Sequence, residues 1–298
     1  LGYKIVVLVK QVPDTHNISG DVMKEDGTIN RSALPAIFNP EDLNALEMAL
    51  DMKDRFGGRV TVITMGPPSA AEVLRQSVYR GADEVFLVSD IKFAGSDTWA
   101  TAYTLAAVIK KTVPDADVVF AGRQAIDGDT AQVGPQVAEK LGFNQVTYVE
   151  SLMDAGDGTV TVSKQIEGGI ETVKAVTPLL MTVVESANVP RPPEVRRMMG
   201  YRRSMSRLEF KSAMKHMLRF EDEAQLEAWL AENSLLIPVV TASDIDVDLR
   251  KLGLFGSPTK VKNIENVVLK KEETVELEAN ASGALKLVSD LKKAKILG

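Results

Sequence analysis

Short apolar runs alternate with amphipathic segments from the start of the chain to Gly142. KIVVLVK (Lys4–Lys10) is apolar at consecutive positions, as in a strand buried on both faces. NPEDLNALEMALDMKDRFG (Asn39–Gly57) repeats apolar residues at helical spacing through Leu43, Leu46, Ala49 and Leu50. Asn39 is placed to cap that helix and Pro40 suits its first turn. Three further strand–helix alternations follow. RVTVITMG (Arg59–Gly66) precedes a helix over Ser69–Gly81, with Ser69 as its cap. EVFLVSD (Glu84–Asp90) precedes a helix over Asp97–Thr112. ADVVFAG (Ala116–Gly122) precedes one over Asp129–Gly142. The alternation predicts an α/β fold, a doubly wound and mostly parallel sheet with helices on both faces.

Beyond Gly142 the period shortens. Thr147–Ser186 alternates about Asp-Gly and Gly-Gly turns, which predicts a β-hairpin addition. From Asn188 the chain is basic and irregular, and Pro190, Pro192 and Pro193 disfavour helix. An acidic amphipathic insert follows, with Leu226, Trp229 and Leu230 on one face. The rest reads as a long tail with few regular elements, ending in a helix over about Ala281–Leu297. The expected division is 1–187 for the α/β domain, 188–207 for a basic loop, and 208–298 for an extension. So long a tail with so little core of its own is expected to lie on another protein.

Composition narrows the chemistry. The chain has 298 residues, enough for one large domain, or one domain with an appendage. It has no cysteine, which excludes disulfides, thiolate zinc sites and iron–sulfur clusters. His16 and His216 are its two histidines, so a histidine-rich metal site is not expected and neither is given a catalytic part. A net charge of −6 argues against nucleic acid. No apolar run approaches the ~20 residues of a membrane span. The first residues read as a strand, not as a signal peptide, which predicts a cytoplasmic protein.

In open α/β sheets ligands sit beyond the carboxyl ends of the strands. Val9 and Lys10, with the loop through Val12, Pro13 and Asp14, lie at one such end, Met65, Gly66, Pro67 and Pro68 at another, and Ala121–Pro135 at a third. In AGRQAIDGDTAQVGP, Gly122 would let the backbone approach a ligand, and a helix starting at Asp129-Thr130 would turn its free N–H groups to a phosphate. Arg123 is a candidate partner for phosphate or for a flavin anion. Asp127 and Asp129 would accept ribose hydroxyls or cap the helix. The same letters also describe a mere capped turn, and taken alone the two readings are even. Neither GxGxxG after the first strand nor GxxxxGK[ST] is present.

The motifs are more specific as a set. VKQVPDT, NPEDLNALEMAL, VITMGPP, GADEVFLVSD, AGRQAIDGDTAQVGP and QIEGGIETVKAVTPLLMTV occur in this order. Together they resemble the β subunit of electron-transfer flavoproteins over nearly the whole chain, least around Phe220–Asn233. The resemblance implies an adenine-nucleotide α-hydrolase-like fold, an obligate heterodimer with a flavoprotein α subunit, and either AMP or a second FAD in the β subunit. It carries cofactor contacts onto Leu8, Val9, Lys10, Asn39, Pro40, Glu41, Asp42, Met65, Gly66, Gly122, Arg123, Gln124, Ala125, Ile126, Asp127, Gly128, Asp129, Thr130, Ala131, Gln132 and Val133.

AMP-type members look bulkier or more acidic near Gly128 and Thr130. This loop and GSPTKV (Gly256–Val261) instead resemble the electron-bifurcating group, in which the β-site FAD takes a hydride from NADH. Electrons then pass to the α-subunit FAD with an acyl-CoA dehydrogenase-type partner, and to ferredoxin or flavodoxin. The basic loop resembles the segment that docks the dehydrogenase, with Val195 as an apolar anchor among Arg191, Arg196 and Arg197. The alternatives are a non-bifurcating carrier holding structural AMP, and a nucleotide-binding regulatory domain of universal-stress type.

Overall fold

A computed structural model describes residues 2–14, 35–217, 220–260 and 275–293. His16, Val261 and the last residues of the expected C-terminal helix lie outside them. The alternating segments fold in the predicted order. They are β1 (Tyr3–Val9), β2 (Gln11–Pro13), β3 (Ala36–Phe38), α1 (Pro40–Phe56), β4 (Gly58–Met65), α2 (Ala71–Arg80), β5 (Glu84–Val88), α3 (Thr98–Thr112), β6 (Val118–Gly122) and α4 (Val133–Leu141). The short-period region gives β7 (Asn144–Gly156), β8 (Thr159–Ile166), β9 (Gly169–Val176) and β10 (Leu179–Val183). Then come α5 (Val195–Tyr201), β11 (Met205–Ser206), α6 (Phe210–Ala213), α7 (Glu223–Glu232), β12 (Leu236–Ile237), β13 (Val239–Val240), α8 (Gly253–Gly256) and α9 (Ala281–Lys293).

The main sheet has nine strands in the order β13-β5-β4-β1-β6-β10-β7-β8-β9. Every neighbouring pair from β13 to β7 is parallel, and β7-β8 and β8-β9 are antiparallel. Apolar residues at successive positions serve opposite faces. Ile5 and Val7 join the core beneath α1 and α2, while Val6 and Leu8 join the core beneath α3 and α4. The chain runs outward from β1 to β4 and β5, then crosses back to β6 on the other side of β1. The reversal lies between β1 and β6, and the crevice beyond their carboxyl ends is where such sheets bind ligands. A small antiparallel pairing, Gln11↔Phe38 to Pro13↔Ala36, returns the chain so that α1 starts beside the end of β1.

Four helix-start expectations are corrected. Pro68–Ala70 form a 3-10 turn, so α2 starts at Ala71 without a Ser69 cap. α4 starts at Val133, not Asp129, because Asp129 (φ 47°) and Ala131 (φ 52°) are left-handed and break a helical path. Asn39 makes no capping bond to α1, since its side chain is used elsewhere. The irregular basic stretch contains α5, which starts two residues after Pro193 and so avoids a proline in its interior.

The tail is also less bare than its sequence suggests. Val239 and Val240 extend the sheet alongside Leu87 and Val88, and Ala242, Ile245 and Leu252 are buried in the α3 and α4 core. One compact unit runs through Lys260, so the first part of the 208–298 extension folds on the chain's own domain. A second unit covers 261–298; its described part holds α9, whose Leu285, Leu287 and Val288 are exposed.

The acidic insert closes a satellite core. Leu226 and Leu230 are fully buried with Met205, Phe210 and Leu235, and Trp229 packs against them. Truncating one of these leucines removes transfer energy and leaves a cavity, ~2–5 kcal/mol in total. Leu230→Ala should therefore speed amide exchange across α7 while β1 stays protected, which hydrogen-exchange mass spectrometry can read.

Candidate functional site

The hydrogen-bond ladder between β1 and β6 ends at Leu8↔Ala121. A buried carboxylate takes over there. Asp42, in the first turn of α1, accepts the Lys10 N–H on Oδ2 at 2.8 Å and the Gly122 N–H on Oδ1 at 3.0 Å. Its two oxygens thus serve the two strand ends that the switch point leaves without each other. The contact needs a glycine at 122. A Cβ there would lie 2.5 Å from Asp42 Oδ1 and 2.7 Å from the Asp42 nitrogen. The glycine at 122 thus admits the N-terminus of α1 against the end of β6.

The residues before Asp42 hold the loop that follows β6. Asn39 is fully buried; its amide donates to Gln124 O at 2.9 Å and accepts from Ile126 N at 3.1 Å, while its backbone N–H reaches Lys10 O at 3.0 Å. Pro40 opens α1. Glu41 accepts Arg123 Nη2 at 2.7 Å, Arg123 Nε at 3.1 Å, and the Gln124 N–H at 2.8 Å. This bidentate pair, with Glu41 only 5% exposed, holds the guanidinium above its ordinary pKa. Arg123 also lies 5.8 Å from the centre of the Tyr148 ring. Arg123 is therefore held in place by Glu41, and its Nη1 takes no part in that pair.

The loop itself is bent and partly exposed. Lys10 Nζ pairs with both oxygens of Asp127 at 2.7 Å, and Gln124 donates to Asp129 Oδ1 at 2.9 Å. Ala125 O accepts the N–H groups of Gly128 and Asp129. Gly128 and Thr130 are exposed, and nothing lies within 4 Å of a Cβ built on Gly128. Gln132 precedes α4 without capping it by side chain, so the N–H groups of Val133 and Gly134 keep their donor capacity, Pro135 having none. Leu8 and Val9 are buried at the end of β1, while Met65 ends the adjacent β4 and Gly66 follows it; Gly66 N–H bonds back to Val88 O at 3.0 Å. Two buried polar atoms flank this region without a hydrogen-bond partner among the described residues, Thr64 Oγ1 and Gln136 Oε1.

These features fit a nucleotide. The space beside Gly128 is open, the start of α4 has no side-chain cap, and the loop carries the carboxylates of Asp127 and Asp129, paired with Lys10 and Gln124. Sequence reasoning did not bring Tyr148, Thr64 or Thr98 to this region, where the first lies beside Arg123 and the last bonds Gln132. Thr98 Oγ1 donates to Gln132 Oε1 at 3.0 Å, and only its place at a helix start beside Asp97 hinted at it. His216 lies in the turn after α6. Among the described residues no cluster of His, Cys, Asp or Glu is arranged to hold a metal, and no helix is long and apolar enough to cross a membrane.

A profile of the electron transfer flavoprotein domain matches residues 26–205. The electron transfer flavoprotein subunit beta of Clostridium acetobutylicum is 45% identical over 289 residues, 97% of this chain and 98% of that one. The chain belongs to the electron transfer flavoprotein family, as a β subunit. The caffeyl-CoA reductase-Etf complex subunit CarD of Acetobacterium woodii is 51% identical over 189 residues, 63% of this chain and 71% of its own. Protein FixA of Bradyrhizobium diazoefficiens is 40% identical over 264 residues, 87% of this chain and 81% of its own.

The basic segment is more anchored than expected. Arg191 pairs with Glu47 at 2.9 Å and Asp54 at 2.9 Å, and Arg197 donates to Val78 O and Ala82 O at 2.6 Å. Val195, 72% exposed, and Arg196 remain on the surface of α5.

Asp42 also sets a pH dependence. Burial pushes its carboxyl from 3.8 up to about 7, against the hydrogen bonds from Asn39, Gly122 and Lys10. Between those values the folded chain holds a proton that the unfolded chain releases, so this group's contribution to stability falls as pH rises from about 4 through about 7. The full displacement corresponds to at most ~4 kcal/mol. Unfolding free energies of wild type and Asp42→Asn, taken in urea from pH 4 to 8, should show wild type losing stability relative to the variant over that range. Parallel curves would mean that the carboxyl stays ionised throughout.

Proposed function

We propose that this β subunit holds FAD at the switch point, takes electrons from NADH there, and divides them between two routes. One route is the α-subunit FAD with an acyl-CoA dehydrogenase-type partner; the other is ferredoxin or flavodoxin. The observation that carries the reading is the open loop at Gly128. It is flanked by left-handed Asp129 and Ala131 and by the uncapped start of α4. AMP needs one phosphate cradle, and FAD needs room for a second phosphate and a ring system. A small, unobstructed residue at 128 supplies that room. The name of the relative in a caffeyl-CoA reductase-Etf complex, and that of the acryloyl-CoA reductase electron transfer subunit gamma of Anaerotignum propionicum, 48% identical over 188 residues, favour a reductase partner of this kind.

When bound, FAD supplies a ring that accepts a hydride from NADH and passes electrons on singly. The chain's residues bind and orient. The α4 amides and the loop N–H groups meet phosphate, Asp127 and Asp129 meet ribose hydroxyls, and Leu8, Val9 and Met65 form apolar walls. The Glu41 pair fixes Arg123 in one orientation, so its remaining donor acts as a preorganised dipole rather than a mobile cation. Val195 on α5, beside exposed Arg196, is the docking point for the dehydrogenase, a small apolar anchor with a basic rim. The exposed apolar residues of α9 suit a helix that lies on the α subunit.

Purified α/β complex, denatured and assayed for released nucleotide, should yield two FAD and no AMP. One FAD and one AMP would overturn the FAD reading, and no nucleotide in the β subunit would favour a regulatory domain instead. Gly128→Asp adds bulk and negative charge beside the phosphates. It should weaken FAD retention about tenfold or more, and AMP retention less, as followed by flavin fluorescence during dialysis.

A further inference from the structure

Two adjacent residues at the head of α3 hold two segments that are remote from each other in sequence. Asp97 faces one of them. Its Oδ1 caps α3 by accepting Ala100 N–H at 2.9 Å, and its Oδ2 accepts the Thr259 N–H at 2.9 Å and the Thr259 hydroxyl at 2.7 Å. The Asp97 N–H donates to Ser257 Oγ at 2.8 Å, and the buried Ser257 hydroxyl donates on to Gly253 O at 2.7 Å. Gly253 is left-handed at φ 59°, and a Cβ there would lie 2.3 Å from Lys92 O, so the segment is closely seated on residues 92–97. Burial pushes the Asp97 carboxyl up, but the bonds from Ala100, Thr259 and Trp99 outweigh it and hold the group below its usual value. The compact unit ends one residue after Thr259, at Lys260.

Thr98 faces the other segment. Its hydroxyl donates to Gln132 Oε1 at 3.0 Å and accepts from Gln136 Nε2 at 3.4 Å. Gln132 follows left-handed Ala131 and is the last residue before α4. Left-handed non-glycine residues persist only where surrounding contacts hold them. The Thr98 contact is therefore one of the supports of the strained loop.

We propose that Asp97 and Thr98 form a positioning pair that couples the exit of the C-terminal segment at 257–259 to the conformation of the 122–133 loop. Loosening either segment loosens the other, and a nucleotide seated in the loop also steadies the exit. Coupling of this kind is reciprocal by thermodynamic necessity. The nucleotide part rests on the reading given above; the coupling itself does not.

Hydrogen-exchange mass spectrometry on the purified α/β complex tests both parts. Ser257→Ala should speed exchange in peptides covering 253–260 and also, by about fivefold, in peptides covering 123–133, the lower end of typical coupling. In a Thr98→Val background the second effect should vanish, and Thr98→Ser should restore it. Faster exchange confined to 253–260, a loop effect that survives Thr98→Val, or an exit segment indifferent to Ser257→Ala would each overturn the proposal. Added FAD or AMP should slow exchange at both 123–133 and 253–260 in wild type, and only at 123–133 in Thr98→Val. Loop protection without exit protection in wild type overturns the coupling. If neither nucleotide protects the loop, the nucleotide reading and its part of the coupling fail, while the variant comparison still decides whether the two segments are linked.

Discussion

The site depends on one buried carboxylate bridging two strand ends. Parallel strands at a switch point diverge, and their last N–H groups lose the neighbouring strand's carbonyls as acceptors. Asp42 accepts both, from Lys10 and Gly122, in a place where an unpaired donor would cost ~1–3 kcal/mol. That contact demands glycine at 122 and sets the start of α1 against the end of β6. Asn39 and Glu41 are thereby delivered to the following loop, where they hold Ile126, Gln124 and Arg123. The loop's shape is thus a consequence of where a helix begins.

The fold was legible where periodicity runs long enough to be read. β1, α1 and β6 each show several consecutive positions of one pattern, and each folds within a residue or two of expectation. Asp-Gly-Asp-Thr was not legible, because acids and glycine suit a helix cap and a left-handed turn equally well. β13 was missed for a different reason: two residues show no period, and Val239 is recognisable as a strand only by its neighbour Leu87.

The site was legible as a set of positions and not as a set of roles. Strand ends that share one edge placed Lys10 and the loop together, and the family resemblance added Asn39, Glu41 and Asp42. It did not show that Arg123 would be held by Glu41, a partner 82 positions away, or that Asn39 would serve the loop instead of its own helix. Roles of this kind follow from which charges meet, and a single sequence carries no record of the meeting.

Those meetings bear on how an acidic crevice could take an anion. Glu41 is offset by Arg123 and Asp127 by Lys10, and Asp42 is sufficiently buried to hold its proton up to about neutral pH. These charges are offset locally, while among the described residues exposed Asp129 accepts only the neutral Gln124 amide, so backbone dipoles are the favourable field for an anion at the loop. Amides at the start of α4 keep their position as charge changes and carry no counterion to displace. A site built this way would respond little to the net charge of −6 on the whole chain. Its sensitivity would lie in loop geometry, which makes the left-handed turn at Asp129 and Ala131, and the contacts that hold it, the feature on which binding depends.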